Sequence, residues 1–317
     1  METTQFGRTG IEVSRICIGC WQAAGWATSD DERFVATVRH ALDSGLNFLD
    51  TAVGYGSGHS EELVAKAIEG RRDSVVIATK FSHPSSRPAG VRKAFEEACR
   101  RMKTDHIDIF QQHWPPKDIP LADTIGALEE LKKEGKIRAI GVSNWMEPEW
   151  GEIDDPSRVD SLQPNHSLLW QSIEPNVLPM CREHNIAVIT YSSLCQGILA
   201  GKFKSPDEAP QDSRASNRRL KPGDWPQVQE VLAALQEVAA KYEKTMAQTA
   251  IRWLLDQPGI TAAIVGASRP DQVDRNLGAL GWSLDPADWQ RLADVSWPLS
   301  KGLQPHDTLW NWHPRGG

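Results

Sequence analysis

The chain lacks an excess of positive charge. Its 317 residues carry 35 Lys and Arg against 42 Asp and Glu, a formal net charge of −7. That argues against a general nucleic-acid binder, which needs basic residues to displace phosphate counterions. Cysteine is scarce. There are five (Cys17, Cys20, Cys99, Cys181 and Cys195), an odd number at irregular spacing. A disulfide framework is unsupported. Cys17-x-x-Cys20 has no second pair after it, so a zinc ribbon is unsupported too, and no metal site is expected. The run Ile16–Cys20 reads as a strand ending at a glycine, not as the helix N-terminus a redox dithiol requires. These are core thiols suited to a reducing cytoplasm. The opening METTQFGRTG has no apolar signal core. No run approaches the roughly 20 apolar residues of a membrane span. A cytoplasmic protein with no membrane partner is expected. No Gly-x-Gly-x-x-Gly follows the first strand, which argues against a Rossmann domain.

What is present is an alternation. Arg8-Thr9-Gly10 between two short β-prone pieces predicts a small hairpin. Ile16–Gly19 is a short apolar run, and Ser29-Asp30-Asp31-Glu32 has the spacing of a capping box. Phe34, Val35, Val38, Ala41, Leu42 and Leu46 then recur at helical spacing. Further strands are predicted at 47–49, 74–79, 106–110, 137–142, 160–162, 186–190 and 262–265. Helices are predicted at 91–102, 121–131, 177–183, 228–242, 246–255 and 270–280. About eight strands, each followed by a helix, demand a parallel sheet. Eight units in this length favour a closed barrel over an open doubly wound sheet. The expected fold is a single (β/α)8 TIM barrel over residues 1–317, with an N-terminal β-hairpin and a long loop, 201–225, after strand 7.

Chemistry in such a barrel sits at the C-terminal ends of the strands. From the second strand onward, every strand end delivers polar groups. Asp50, Tyr55, Lys80 and His113 stand out: an acid, a phenol, an amine and an imidazole. A free phenol has a pKa of about 10, too high for efficient proton transfer at neutral pH. A nearby ammonium would lower it, a carboxylate would hold that ammonium, and a neutral imidazole could orient a carbonyl. The set suits the protonation of an oxygen, as in carbonyl reduction.

Those residues lie in longer stretches that resemble one family. FLDTAVGYGSGHSEELV (48–64), ATK (78–80), QQHW (111–114), GVSNW (141–145), QPNHSLL (163–169), YSSLCQGILAGK (191–202) and GASRPDQVDRN (266–276) resemble the aldo-keto reductase superfamily, in its bacterial type. The resemblance runs from the hairpin to about Leu280. It implies a (β/α)8 barrel that binds NADP(H) without a Rossmann fold. It implies an oxidoreductase acting on small-molecule aldehydes or ketones, or on the alcohols in reverse. By resemblance Tyr55 is the general acid/base, Lys80 and Asp50 tune it, and His113 orients the carbonyl oxygen.

The same resemblance implies cofactor contacts. Ser143, Asn144 and Gln163 match groups that hold the nicotinamide carboxamide, and Tyr191 matches the ring on which nicotinamide stacks. Ser192 and Leu194 match the pyrophosphate stretch, in which Gly197 and Lys202 also fall. Gly266, Ser268, Arg269, Gln272 and Asn276 match the stretch for the 2′-phosphate and adenine. Arg269 gives a reason to prefer NADP(H), because a guanidinium forks onto a phosphate that NAD(H) lacks. Two departures stand out. Gly266 and Ala267 occupy a place where many members carry a lysine, and Arg275 one where some carry a glutamate.

Thirteen tryptophans against three tyrosines is unusual. Trp21 and Trp26 follow strand one, Trp114 follows His113, and Trp145 follows Asn144. Trp21, Trp114 and Trp145 are expected to wall a pocket for apolar or aromatic carbonyls, or for sugar rings. Trp310 and Trp312 either fold over that pocket or make oligomer contacts. The 201–225 loop carries Lys202, Lys204, Arg214, Arg218, Arg219 and Lys221, and its position suggests a flap over the cofactor pyrophosphate. His59 and His166 read as structural. An alternative from another class is a nucleotide-sensing regulatory subunit with slow turnover, like the potassium-channel beta subunits. Monomer and homo-oligomer both remain open.

Overall fold

The computed structural model describes residues 1–24, 30–209 and 211–316. A hairpin comes first, strands β1 (Thr3–Gln5) and β2 (Glu12–Ser14), paired antiparallel. Eight parallel strands then close into a barrel among the described residues. They are β3 (Ile16–Gly19), β4 (Phe48–Asp50), β5 (Val76–Phe81), β6 (Ile107–Gln112), β7 (Ile137–Ser143), β8 (Ser161–Gln163), β9 (Ala187–Thr190) and β10 (Ile260–Gly266). The order is sequential, and β10 pairs with β3 to close the ring.

Helices connect the strands. They are α1 (Asp31–Asp43), α2 (His59–Ala67), α3 (Pro88–Met102), α4 (Leu121–Lys133), α5 (Glu147–Trp150), α6 (Val177–Glu183), α7 (Trp225–Lys241), α8 (Met246–Asp256), α9 (Pro270–Leu277) and α10 (Pro286–Ser296). The expected cap Ser29 and the tryptophan Trp26 lie outside the described residues. Asp30 caps α1, its carboxylate accepting from Arg33 N at 2.9 Å. No described helix is long and apolar enough to cross a membrane.

Two apolar cores follow from the two-residue period of the strands. One set of alternate positions packs outward against the helices, for example Leu49, Ile77, Phe110, Ile140, Leu162 and Val188. The other fills the barrel interior. Phe48, Ala78, Ile109, Ala139, Ile189 and Ile264 cluster there with Phe6, Ile11 and Val13 of the hairpin, which plugs the N-terminal mouth. Phe6 meets Phe48 edge-on at 5.9 Å.

The inward stripe turns polar as each strand nears its C-terminal end. Two residues beyond Phe48 comes Asp50, beyond Ala78 comes Lys80, beyond Ile109 comes Gln111, and beyond Ile189 comes Tyr191. The interior is therefore apolar at the hairpin end and ionic at the other. Gly141 makes this possible beside Gln111, because a Cβ there would fall 2.4 Å from Gln111 Cγ.

The opposite mouth carries carboxylates with structural work. Asp108 accepts from Arg72 at 2.9 Å, Arg138 at 2.7 Å and Ile77 N at 3.0 Å. Asp160 accepts from Lys132 at 2.6 Å and Ile140 N at 2.8 Å.

Strands β3 and β9 end where predicted and the other six barrel strands run one or two residues further, so Lys80, Ser143 and Gln163 are strand residues and not loop residues. Helix α10 was not expected. It is held by a reciprocal pair: Trp253 and Trp289 stack at 5.4 Å, and each indole N–H donates to the other's carbonyl, at 3.2 and 2.9 Å.

Within 201–225 the described residues form short turns at Pro206–Glu208, Ser213–Ser216 and Arg218–Leu220, and Trp225 already opens α7.

Candidate active site

Lys80 lies at the centre of the polar mouth, 1% exposed, with Asp50 beside it at 2%. The ammonium donates to Asp50 Oδ1 at 2.6 Å, Thr51 O at 2.8 Å and Tyr55 OH at 3.3 Å. Its three donors are thus all used. The second Asp50 oxygen accepts from Gln163 at 2.7 Å and Gln111 at 3.3 Å. Burial works against the ammonium, but Asp50 and Tyr55 outweigh it and hold the amine above its ordinary value.

The sequence reading has the ammonium lower the Tyr55 pKa. In the folded protein burial wins. It raises the phenol, Lys80 opposes, and Asp50 adds to the raise. Tyr55 is therefore a protonated phenol at neutral pH. The His113 ring stands edge-on to it at 5.8 Å. Burial, then Lys80 and His83, push that imidazole well below its ordinary value, so it is neutral.

The loop that carries Tyr55 is tightly constrained. Gly56, Ser57 and Gly58 have φ of 65°, 55° and 96°, a left-handed run that glycine accommodates at little cost. A Cβ at Gly58 would meet Arg101 Cδ at 2.5 Å. Arg101 in turn donates to the buried Glu61 at 2.5 Å, and Glu61 accepts from Thr79 on β5 at 2.6 Å. Ser60 on α2 bonds Thr51 at 2.9 Å and Cys20 O at 3.0 Å.

Asn144 sits in the left-handed region at φ 62°, which asparagine tolerates better than most residues. From there its amide nitrogen donates to His113 O at 2.9 Å and Ser143 Oγ at 3.1 Å, while its oxygen accepts from Tyr191 OH at 2.6 Å.

These residues face one cavity of about 970 Å³. Asp50, Tyr55, His113, Ser143, Asn144, Gln163, Tyr191, Ser192, Leu194, Gly197, Lys202, Gly266, Ser268, Arg269 and Gln272 line it, as do Trp21 and Trp114. Lys80 reaches it through Tyr55. Asn276 is not a lining residue. It is 7% exposed, and its Nδ2 has no partner.

Trp145 is placed elsewhere, a correction to the pocket expectation. It is 0% exposed, packs on Trp150 at 5.3 Å and donates to Gln112 Oε1 at 2.9 Å. The turn after Asn144 sends it outward, under the barrel rim.

Other lining residues escaped the sequence reading. Gln22, just after the first barrel strand, lines the cavity. The amide orientation that satisfies its neighbours has the nitrogen donate to Gly19 O at 2.7 Å and the oxygen accept from Ala267 N at 2.9 Å. Gln196 lines the cavity with a buried, unpartnered Nε2. Of the six basic loop residues, only Lys202 and Arg214 line the cavity. Arg219 is structural, donating to Leu169 O at 2.9 Å and Asp224 at 2.6 Å. Trp310 resolves the tail question for itself: it lines the cavity and lies edge-on to Trp21 at 5.9 Å. His166 is buried and bonds Trp170 O at 3.0 Å and the Gln257 amide at 2.6 Å.

A buried Lys–Asp pair beneath a phenol and a neutral imidazole, at the C-terminal mouth of a closed barrel, is the arrangement the sequence motifs imply. The sequence model of the aldo/keto reductase family matches residues 15–296. The chain belongs to that family.

Among its relatives, the aldo-keto reductase YhdN of Bacillus subtilis (strain 168) is 36% identical, over 91% of each chain. The NADH-specific methylglyoxal reductase of Escherichia coli (strain K12) is 32% identical over 95% of this chain and 100% of its own. A crystal structure of an aldo/keto reductase from Klebsiella pneumoniae in complex with NADP and acetate superposes with a TM-score of 0.77. It is 29% identical and covers 93% of this chain and 96% of its own.

The cavity of this aldo/keto reductase is large and polar enough for a nicotinamide dinucleotide. Its far end is cationic, with Lys202, Arg214 and Arg269 in the lining. In the lining, the Gln196 amide nitrogen is buried with no partner. Around Gln196 the backbone is strained, with positive φ at the non-glycine residues Ser192, Cys195 and Gln196. Strain of that kind collects at ligand sites.

Proposed function

We propose that this protein is an NADP(H)-dependent oxidoreductase that reduces aldehydes or ketones to alcohols, or runs the reverse, with Tyr55 as general acid/base. The observation that carries the reading is the Asp50–Lys80–Tyr55 chain, buried beside a neutral His113.

A bound nicotinamide dinucleotide would supply a hydride to the carbonyl carbon. The phenol of Tyr55 supplies a proton to the carbonyl oxygen, and Lys80 stabilises the phenolate that remains. His113 is neutral, so its ring can donate a hydrogen bond to that oxygen without competing for the proton. Asp50 keeps Lys80 charged and in place. Ser143, Asn144 and Gln163 would hold the nicotinamide carboxamide, and Tyr191 would offer its ring face. Ser192, Leu194, Gly197 and Lys202 would flank the pyrophosphate. Arg269, with Gly266, Ser268, Gln272 and Asn276, would receive the adenosine end, where a guanidinium favours a 2′-phosphate. The NADP-bound relative supports this cofactor, and the NADH-specific relative makes the preference a matter for measurement.

The test is NADPH consumption against aromatic aldehydes, small dicarbonyls and sugar aldehydes, with NADH as control. Tyr55→Phe should cut turnover by about 1,000-fold or more while leaving dinucleotide affinity nearly intact. A Tyr55→Phe protein that keeps full activity would overturn the mechanism.

A further inference from the structure

The adenosine end of the cavity gathers four cations. Lys202, Arg214 and Arg269 line it. Burial, then Arg214, Arg269 and Arg275, hold the Lys202 amine below its ordinary value, and Arg214 is paired with Asp212 at 2.6 Å. Yet Arg269 does not present an open fork. Its Nε donates to Asp271 Oδ1 at 2.9 Å and its Nη2 to Asp271 Oδ2 at 3.3 Å. Arg275, one turn along α9, donates to the same Oδ2. One carboxylate therefore holds both guanidinium groups. The neighbouring donors are engaged as well: Ser268 N and Ser268 Oγ both meet Gln272 Oε1, at 2.7 and 3.1 Å. Gly266 and Ala267 add no cation of their own.

A 2′-phosphate reaching this place must share the two guanidinium groups with Asp271 or draw them away from it. Asp271 then remains a neighbour, fixed in the first turn of α9, and repels the incoming dianion. A ribose 2′-hydroxyl faces neither cost. An element that penalises one ligand and ignores the other determines specificity by repulsion.

We infer that Asp271 is a specificity-determining residue for the cofactor: by neutralising Arg269 and Arg275 it narrows the preference for a 2′-phosphorylated dinucleotide over the unphosphorylated one. This rests on the dinucleotide reading above. An acid in a first helical turn also favours the helix dipole. That role alone would alter stability and leave the ratio of the two affinities unchanged.

The experiment is calorimetric titration of NADPH and NADH into the unsubstituted protein, Asp271→Asn and the double variant Arg269→Leu/Asp271→Asn, at one ionic strength. In Asp271→Asn the Kd for NADPH should fall by about tenfold, which is about 1.4 kcal/mol. The Kd for NADH should stay within about twofold. The double variant should lose the gain. A ratio unchanged by Asp271→Asn, or both affinities moving together, overturns the inference while the dinucleotide reading stands. Absence of binding of either dinucleotide to the unsubstituted protein overturns the site reading, and this inference with it.

Discussion

Trp310 lies parallel to Tyr191, with ring centroids 6.1 Å apart and planes 11° from parallel. The tail that brings it there is pinned on both sides. Arg218 N donates to Leu309 O at 2.8 Å, and Arg315 donates to Pro116 O at 2.7 Å and to the buried Glu149 at 3.2 Å. Between those pins Trp310 faces Trp21 and Tyr191, while Trp312 meets Trp114 edge-on at 5.2 Å. Trp310→Ala should raise KM for an aromatic aldehyde by about 3- to 10-fold, the worth of one aromatic contact. KM for a two-carbon aldehyde should stay nearly constant. Equal changes for both substrates would show that the ring organises the site generally.

Asp50 raises both of its neighbours, the Lys80 amine and the Tyr55 phenol. Asp50→Asn removes that charge, so the phenol titrates at lower pH. Reduction needs the protonated phenol, and its rate falls once pH passes the phenol pKa. The alkaline limb of the kcat profile for reduction should therefore move to lower pH in Asp50→Asn. Turnover at neutral pH should drop by about tenfold or more as Lys80 loses its anchor. A limb that moves to higher pH would contradict the assignment.

Gly58 combines a φ of 96° with a Cβ position 2.5 Å from Arg101 Cδ. Gly58→Ala must strain the backbone and displace the arginine that holds Glu61. Stability should fall by about 2 kcal/mol or more, measured as a lower urea midpoint at constant slope. Because the loop carries Tyr55, kcat should fall with little change in dinucleotide affinity.

His166 and Glu174 approach to 3.6 Å, but burial keeps them from forming an ion pair near pH 6. It pushes the His166 imidazole down to about 4 and the Glu174 carboxyl up to about 7. The two signs oppose. His166 is buried neutral, so its contribution is lost as pH falls from 6.5 towards 4. Glu174 is buried protonated, so its contribution is present below 4.5 and lost as pH rises through 7. Each amounts to about 3 kcal/mol at most. His166→Gln should flatten the acid side of the stability–pH curve, and Glu174→Gln the neutral-to-alkaline side. Urea unfolding at pH 5, 6.5 and 8 reads both.

Much of the fold was legible because the local signals agreed. β-branched and apolar runs such as Ser74–Thr79 alternated with helical stripes, and the missing glycine fingerprint removed the open-sheet rival. Helix α10 was not legible, because the contacts that hold it span long stretches of chain: Trp289 pairs with Trp253, 36 residues away, and Asp288 bonds Lys241 and Tyr242. The catalytic candidates could be read from strand ends, since a parallel barrel sends those ends to one mouth. Trp145 misled for the same reason: adjacency to Asn144 gives position along the chain, while the backbone turn decides which side of the rim a ring takes.

The sequence by itself determined the repeating strand–helix order, the family and the identity of the four groups at the barrel mouth. Those follow from residue type and spacing, which are local properties. Only the tertiary structure decided how those groups are charged, which tryptophans face the cavity and what Arg269 is bonded to. Burial, like-charge crowding and ring contacts join residues far apart in the chain: Lys80 with Asp50, Trp310 with Tyr191, His166 with Glu174. The Tyr55 phenol is the plainest case. Pairing with a lysine predicts a lowered pKa, and removal from water raises it instead, because desolvation depends on everything that surrounds a group and not on one partner.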